Sequence, residues 1–446
     1  MHFGVTRNLK TYLLVLCLLV SGVDAAPPQV TRLVLSPGDP NRFQTHPRIA
    51  LNTNTRQSLV VWEKHPGDHP AHSLQARLLN STGKPVGPVF TVVSGPNTYN
   101  PDLVYNPRRN EFALVYANEL SSASATFAVF LQRLSLQGRP IGAAIRISAP
   151  EDSARRVNNE NPSAIYDETT GNTTLLWVRN KISDSTADIL EGLYGVVLSP
   201  SYAVLSGPVL IRKSSRDQGV YLIQPYVTDL GIHPWNGRFL LAFYQASPGS
   251  FGGIPRFEYY AASLDPGLSG IQTSDFLKVK TGVNPEGAIY TGFAFSPGGT
   301  GFVIYAENAG LRLRKLNPAG KFAGPAVPAF RAPLHQTRFS SVAVVESRSA
   351  AGSRWVLFGI QDPGNETGNR GLWMQALDEN GMPAGAPLKL ELNDYSSLLA
   401  ASTVPVSPTS RSSRLALVFE EGREVLRPVN GESTQLILLN VNLSLP

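Results

Sequence analysis

The sequence predicts an all-β fold, a seven-bladed β-propeller of four-stranded antiparallel blades. Three observations predict it: a sevenfold repeat, a composition rich in turn formers and poor in charge, and an orphan N-terminal strand that matches the strand missing from the last unit. An apolar run closed by an aromatic residue recurs at Trp62, Tyr116, Trp177, Tyr244, Tyr305, Phe358 and Phe419, at spacings of 53 to 67 residues. Each run is short, β-favouring and bounded by turn residues, which fits a buried central strand better than a helix. Self-similarity at a period near 60 residues is the mark of a circular or stacked array.

The chain has 446 residues, 16% of them charged, with 39 glycines and 35 prolines. It is too apolar to be disordered and too turn-rich for a helical bundle. A first strand precedes each aromatic run, and units begin near residues 45, 98, 159, 223, 288, 339 and 400. Prolines 47, 101, 162 and 225 are expected at the first residue of their strands, where no ladder donor is lost. The third strand leads into a glycine turn, Gly83-Lys84-Pro85-Val86-Gly87, Gly138-Arg139-Pro140-Ile141-Gly142 or Gly381-Met382-Pro383-Ala384-Gly385. Glycine there supplies a positive φ and proline fixes the next bend. The last unit lacks a fourth strand, and residues 30–36 form an orphan strand like Ile145–Pro150 of the second unit. The N-terminal strand is therefore expected to complete the last blade and seal the ring, removing an open edge.

Residues 1–25 read as a secretory signal, with Arg7 and Lys10 before a short apolar run and small residues at Val23 and Ala25. Residues 26–446 then form one domain, secreted and extracellular. The only cysteine, Cys17, lies within the signal, so disulfides, zinc–thiolate sites and cysteine nucleophiles are excluded from the mature chain. The net charge is +6 without a basic run, which argues against nucleic acid as a partner. No later stretch reaches transmembrane length. The expected state is a monomeric glycoprotein, with sequons at Asn80, Asn172, Asn365 and Asn442 on surface turns.

The unit running from Asn100 to Tyr105, through Phe112 to Tyr116 and Gln132-Arg133-Leu134 to Gly142, resembles blades of secreted seven-bladed propellers. Similar Q-R-L-x-x-x-G-x-P-x-G repeats occur in large bacterial surface and exoproteins. The resemblance implies the fold and leaves the activity open.

Function is sought on the face bearing the starts of the first strands and the ends of the second strands. It carries His46, Arg48, Asn97, Asn100, Glu160 and Asn161, with Glu63, Glu119, Arg179 and Glu307. Such a rim suits hydroxyl-rich ligands, and the first reading is a non-catalytic, lectin-like propeller binding glycans or extracellular partners. Asn100, Glu63, Trp235, Tyr259 and Tyr260 are the candidate ligand contacts, the aromatics as stacking surfaces. Trp62, Trp177 and Trp355 sit at repeat spacing and are assigned to the core. The alternative is a glycan-cleaving enzyme. Sialidases are propellers that need three arginines, a Tyr/Glu nucleophile pair and an acid; Arg48, Arg179 and Arg338 lie at comparable places in their blades, with Tyr305 and Glu307 nearby. The S-x-D-x-G-x-T-W turn of that family is missing, as are G-x-S-x-G and H-E-x-x-H. No cofactor is expected, the one candidate being a divalent metal on His65, His69, His72 and His46.

Overall fold

The computed structural model describes residues 29–39, 42–66, 72–95, 97–121, 126–150, 157–181, 192–217, 221–232, 237–247, 256–272, 276–283, 291–295, 301–307, 310–317, 321–331, 334, 339–349, 352–361, 371–378, 381–392, 396–405, 412–421 and 435–444. Residues 1–25, expected to be a signal, lie outside them. Among the described residues the strands pair into seven antiparallel sheets.

After β1 (Gln29–Ser36), the first sheet is β2 (Arg42–Leu51), β3 (Ser58–Pro66), β4 (Ser73–Leu79) and β5 (Pro85–Ser94). The second is β6 (Thr98–Asn106), β7 (Glu111–Ser121), β8 (Thr126–Leu134) and β9 (Ile145–Arg146). The third is β10 (Val157–Tyr166), β11 (Thr173–Lys181), β12 (Gly192–Leu198) and β13 (Val204–Lys213). The fourth has β14 (Ser215–Asp217), β15 (Tyr221–Ile232), β16 (Phe239–Ser247), β17 (Arg256–Leu264) and β18 (Phe276–Val283). The fifth is β19 (Thr291–Phe295), β20 (Gly301–Glu307), β21 (Gly310–Leu316) and β22 (Phe322–Pro328). The sixth is β23 (Phe339–Ser349), β24 (Gly352–Gln361), β25 (Gly371–Leu377) and β26 (Pro383–Leu392). The seventh joins β27 (Ser396–Pro405), β28 (Ser412–Glu421) and β29 (Gln435–Ser444) to β1.

β1 runs antiparallel to β29, with Arg32 opposite Leu439 and Leu33 opposite Leu438. First strands of successive sheets lie beside one another, β2 by β6, β10, β15, β19, β23 and β27 in turn, and β27 lies by β2. This is the arrangement of a propeller.

The aromatic runs are continuous apolar stretches because both faces of the second strands are covered. On β7, Phe112, Leu114 and Tyr116 pack toward the first sheet, and Ala113 and Val115 toward the third. On β16, Leu241 and Phe243 join Leu176 and Ile211, while Leu240 and Ala242 join Val303 and Tyr305. Side chains alternate across a strand, so one run feeds two inter-blade cores. Trp62, Trp177 and Trp355 are all buried there.

The motif residues organise the turns. Gln132 Nε2 donates to the Arg133, Ile141 and Gly142 carbonyls, and Gln375 Nε2 to the matching Ala376, Ala384 and Gly385 carbonyls. In the sixth blade the pairing register shifts at this point, between Met374 and Ala376. Gly83, Gly138 and Gly381 have φ of 72°, 75° and 75°.

Two expectations are corrected. The fourth sheet has five strands, because Ser215–Asp217 pairs with Tyr221–Ile223 in a separation short enough for a hairpin. The strand expected over Ile145–Pro150 stops at Arg146. There the Ile147 and Ser148 N–H groups both turn to the Val129 carbonyl, and Ser148 Oγ accepts from the Val129 N–H at 3.2 Å.

Candidate functional site

The prolines of the first strands do not start them. In β2, β6 and β10 the pairing register skips between Thr45 and Arg48, Tyr99 and Asp102, and Glu160 and Ser163. The skipped pairs are His46-Pro47, Asn100-Pro101 and Asn161-Pro162. A bulge suspends the ladder for one pair, so proline costs no donor in mid-strand. The residue before each proline is left-handed, with φ of 52° at His46, 50° at Asn100 and 51° at Asn161. Asparagine and histidine are among the residues that tolerate this region.

These bulges knit three blades together. The Asn100 backbone N–H donates to Glu63 Oε1, and Asn100 Nδ2 donates to Asn161 Oδ1 at 2.6 Å. Glu63 is 2% exposed. His46 Nδ1 lies 3.4 Å from its Oε1 and His72 Nδ1 3.6 Å from its Oε2. Burial alone would raise the Glu63 carboxyl, but His46, His72 and the Asn100 N–H outweigh it and hold it at about 2. Two residues further along the same strands, Arg48 Nε sits 3.5 Å from Asp102 Oδ1, while Asp102 Oδ2 accepts from the Ala164 N–H at 2.8 Å. Burial raises the Asp102 carboxyl against these partners.

Asn97 Nδ2 donates to Glu119 Oε2, and Asn158 Nδ2 to Glu160 Oε1. The Glu160 carboxyl is raised by burial, which Asn158 opposes. Tyr99 stands among these acids. Burial, then the charges of Glu119, Glu63 and Glu160, push its hydroxyl to about 12. An aromatic ladder runs beside it from Phe43 through His65, His72 and Tyr99 to Phe127.

The structure brings together His46, Glu63, His65, His72 and Asn100 of the sequence-predicted residues, with Arg48 adjacent. Among the described residues no three His, Asp or Glu side chains converge to hold a metal. His65 and His72 stack face to face at 4.4 Å, while His65 Nδ1 faces the Pro66 carbonyl. His46 and His72 address a carboxylate instead. His69 lies outside the described residues.

Tyr260 is corrected from ligand contact to core. It is 7% exposed, stacks on Phe243 at 5.0 Å and donates to Glu258 Oε2. Tyr305 is likewise core, 4% exposed among Leu240, Ala261 and Val303, which removes it as an accessible nucleophile. Arg179 stacks over Tyr194 at 5.0 Å and Arg48 serves Asp102, so each guanidinium is engaged within its own surroundings. Tyr259 is placed opposite Tyr244 and Lys280, and Glu307 opposite Gly310. Trp235, Arg338 and Asn365 lie outside the described residues.

Asn80 occupies a turn, its Oδ1 accepting from the Thr82 and Lys84 N–H groups at 2.9 Å. Asn172 precedes β11, where the sequon's Thr174 is buried. Asn442 is a strand residue between Gln29 and Arg414, because β29 is an interior strand of its sheet.

Sequence reasoning missed Tyr99, Asn158 and Asp102 as members of the cluster. The signal was the repeated x-His/Asn-Pro triad, which marks the bulge that brings the flanking residues together.

The Glu63 environment has a measurable consequence. A carboxyl held below its unfolded value stabilises the fold above that value, and the contribution is lost as pH falls through the folded one. The Glu63→Gln protein should therefore be less stable at neutral pH by about 3 kcal/mol, taking the full shift from 4.5 to about 2. The gap should close as pH falls from about 4.5 to about 2. Urea melts across that range check it, and a pH-independent gap would contradict the assigned ion pairs.

No protein-family model matches the sequence, and no curated protein matches it. Among solved structures, Trypanosoma rangeli sialidase in complex with sialic acid aligns over 93% of this chain at 10% identity and a TM-score of 0.46. The chain spans 59% of that sialidase. The Dos1 propeller aligns over 92% of this chain and 93% of its own, at 9% identity and a TM-score of 0.40. The parainfluenza virus 5 hemagglutinin-neuraminidase ectodomain aligns over 94% of this chain and 86% of its own, at 10% identity and a TM-score of 0.43. Likenesses this distant carry no argument about activity, and the propeller stands on the strand order itself. Among the described residues no helix is long and apolar enough to cross a membrane.

Proposed function

We propose that this chain is an exported, non-catalytic, lectin-like propeller that binds hydroxyl-rich glycan ligands at the mouth formed by the first three blades. The observation that carries the reading is the hydrogen-bonded row Glu63–Asn100–Asn161 across those blades, with His46 and Arg48 partly exposed beside it. Amides, carboxylates and a guanidinium fixed in one row form a preorganised surface for sugar hydroxyls. Glu63, Glu119, Glu160 and Asp102 each already hold a partner. Hydrolysis by a carboxylate pair needs one acid and one base addressed to substrate, so this engagement favours binding over cleavage.

A glycan array with the exported protein tests this. Binding at micromolar concentration is expected, weakened about tenfold by Arg48→Gln and by His46→Asn. Asparagine is the residue the second and third blades carry at that bulge, so the backbone is preserved. A blank array would remove the glycan reading. Turnover of fluorogenic glycosides abolished by Glu160→Gln would replace it with the glycan-cleaving alternative.

A further inference from the structure

A second site lies away from the mouth, between the outer strand of the third blade and the fourth blade. In β13 the register skips at Ile211, since Arg212 opposes Leu193 and Leu210 opposes Tyr194. The bulge sends Ile211 into the inter-blade core at 4% exposure and leaves Leu210 outside at 40%. Beside it opens a cleft of about 360 Å³ lined by Leu210, Arg212, Lys213, Ile271, Gln272 and Phe276, with Ser214. That volume lies within the range of small-molecule sites.

The lining divides by chemistry. Arg212 is held over two rings, 4.9 Å from Tyr260 and 5.2 Å from Phe276. A guanidinium packed this way has lost rotamer freedom before a ligand arrives. Lys213 is exposed on the rim. The nearby acid Glu258 is held by Lys278 and by the Tyr260 hydroxyl, and Arg212 also acts on Glu258 and on that hydroxyl. The Ser214 hydroxyl is buried without a hydrogen-bond partner among the described residues. The apolar part is Leu210, Ile271 and Phe276, and Val204 and Leu205 at the other end of β13 are 56% and 58% exposed. Apolar side chains so exposed on one outer strand, beside two cations, mark a recognition surface. A second copy of this chain, itself at +6, would bring like charge.

We propose that this cleft binds a small anionic amphiphile, an alkyl or aryl carboxylate or sulfonate. The head group is held by Arg212 and Lys213, and the apolar body lies against Leu210, Ile271 and Phe276.

Titration of the full-length protein with anilinonaphthalene sulfonate tests this, read by fluorescence and by calorimetric stoichiometry. One saturable site is expected, displaced by decanoate and not by decanol. Lys213→Glu and Leu210→Asp should each weaken it about tenfold while leaving the melting temperature and glycan binding at the mouth unchanged. Should Leu210→Asp unfold the protein, Lys213→Glu decides alone. The proposal is overturned by the absence of a saturable site, by equal affinity in Lys213→Glu, or by binding only to anionic phospholipid vesicles.

Discussion

Alanine at Gly381 should destabilise the protein by about 2–4 kcal/mol, whereas alanine at Gly142 should cost about 1 kcal/mol. Both glycines are left-handed, with φ of 75° and 68°, so both variants carry the backbone penalty. They differ in what a Cβ would meet. At Gly142 nothing lies within 4 Å, while at Gly381 a Cβ would stand 2.2 Å from Phe302 Cε1 and 2.4 Å from its Cζ. Phe302 is 2% exposed and packed with Ile304, Leu311 and Leu357, so the ring has no room to retreat. Gly381 belongs to the sixth blade and Phe302 to the fifth, so the glycine turn is also a docking point between blades. Gly138 repeats the arrangement, its Cβ position lying 2.7 Å from Phe90 Cζ of the first blade. Urea midpoints of the two variants separate the effects, and equal losses would show that the turn is not pressed against its neighbour.

Leu35→Ala should cost about 3–5 kcal/mol, the range for a fully buried leucine whose site cannot collapse. Leu35 is wholly buried although it belongs to the N-terminal strand, and it packs with Val60, Trp62 and Leu79 of the first blade. Its carbonyl accepts from Arg77 Nη1 at 2.6 Å, and Gln44 Nε2 donates to the nearby Pro37 carbonyl at 2.8 Å. Val34, one residue earlier and 43% exposed, is the control, and Val34→Ala should be near neutral. Thermal melts of the pair check this. Two neutral variants would make β1 a loosely attached tail.

The repeat was readable because burial on both faces forces second strands into apolar runs, and a run of Leu-Val-Val-Trp type is hard to mistake for anything else. The glycine turns were readable because glycine meets a positive φ without strain, although Tyr202 and Leu268 hold the matching left-handed position in the third and fourth blades. The bulges were not, since proline signals a strand boundary and a mid-strand bulge alike, and only pairing register separates the two. The mouth was half legible. Polar residues near His46, Glu63 and Asn100 stood out by repeat position, but whether imidazoles gather on a cation or on a carboxylate depends on ring orientation. Tyr260 and Tyr305 were misjudged for a related reason: an aromatic residue reads the same whether it faces an inter-blade core or a loop.

The account depends on the N-terminal strand being the fourth strand of the last blade, and a disulfide measures that pairing directly. In a Cys17→Ser background, cysteines at Arg32 and Leu439 occupy directly opposed positions on β1 and β29, within bridging distance for an antiparallel pair. Mild oxidation should join them within one chain, detected by mass and by faster migration without reductant. Cysteines at Arg32 and Thr403, on β1 and on β27 at the opposite edge of the same sheet, should stay reduced. Failure of the first pair to close, or equal closure of both, would contradict the pairing.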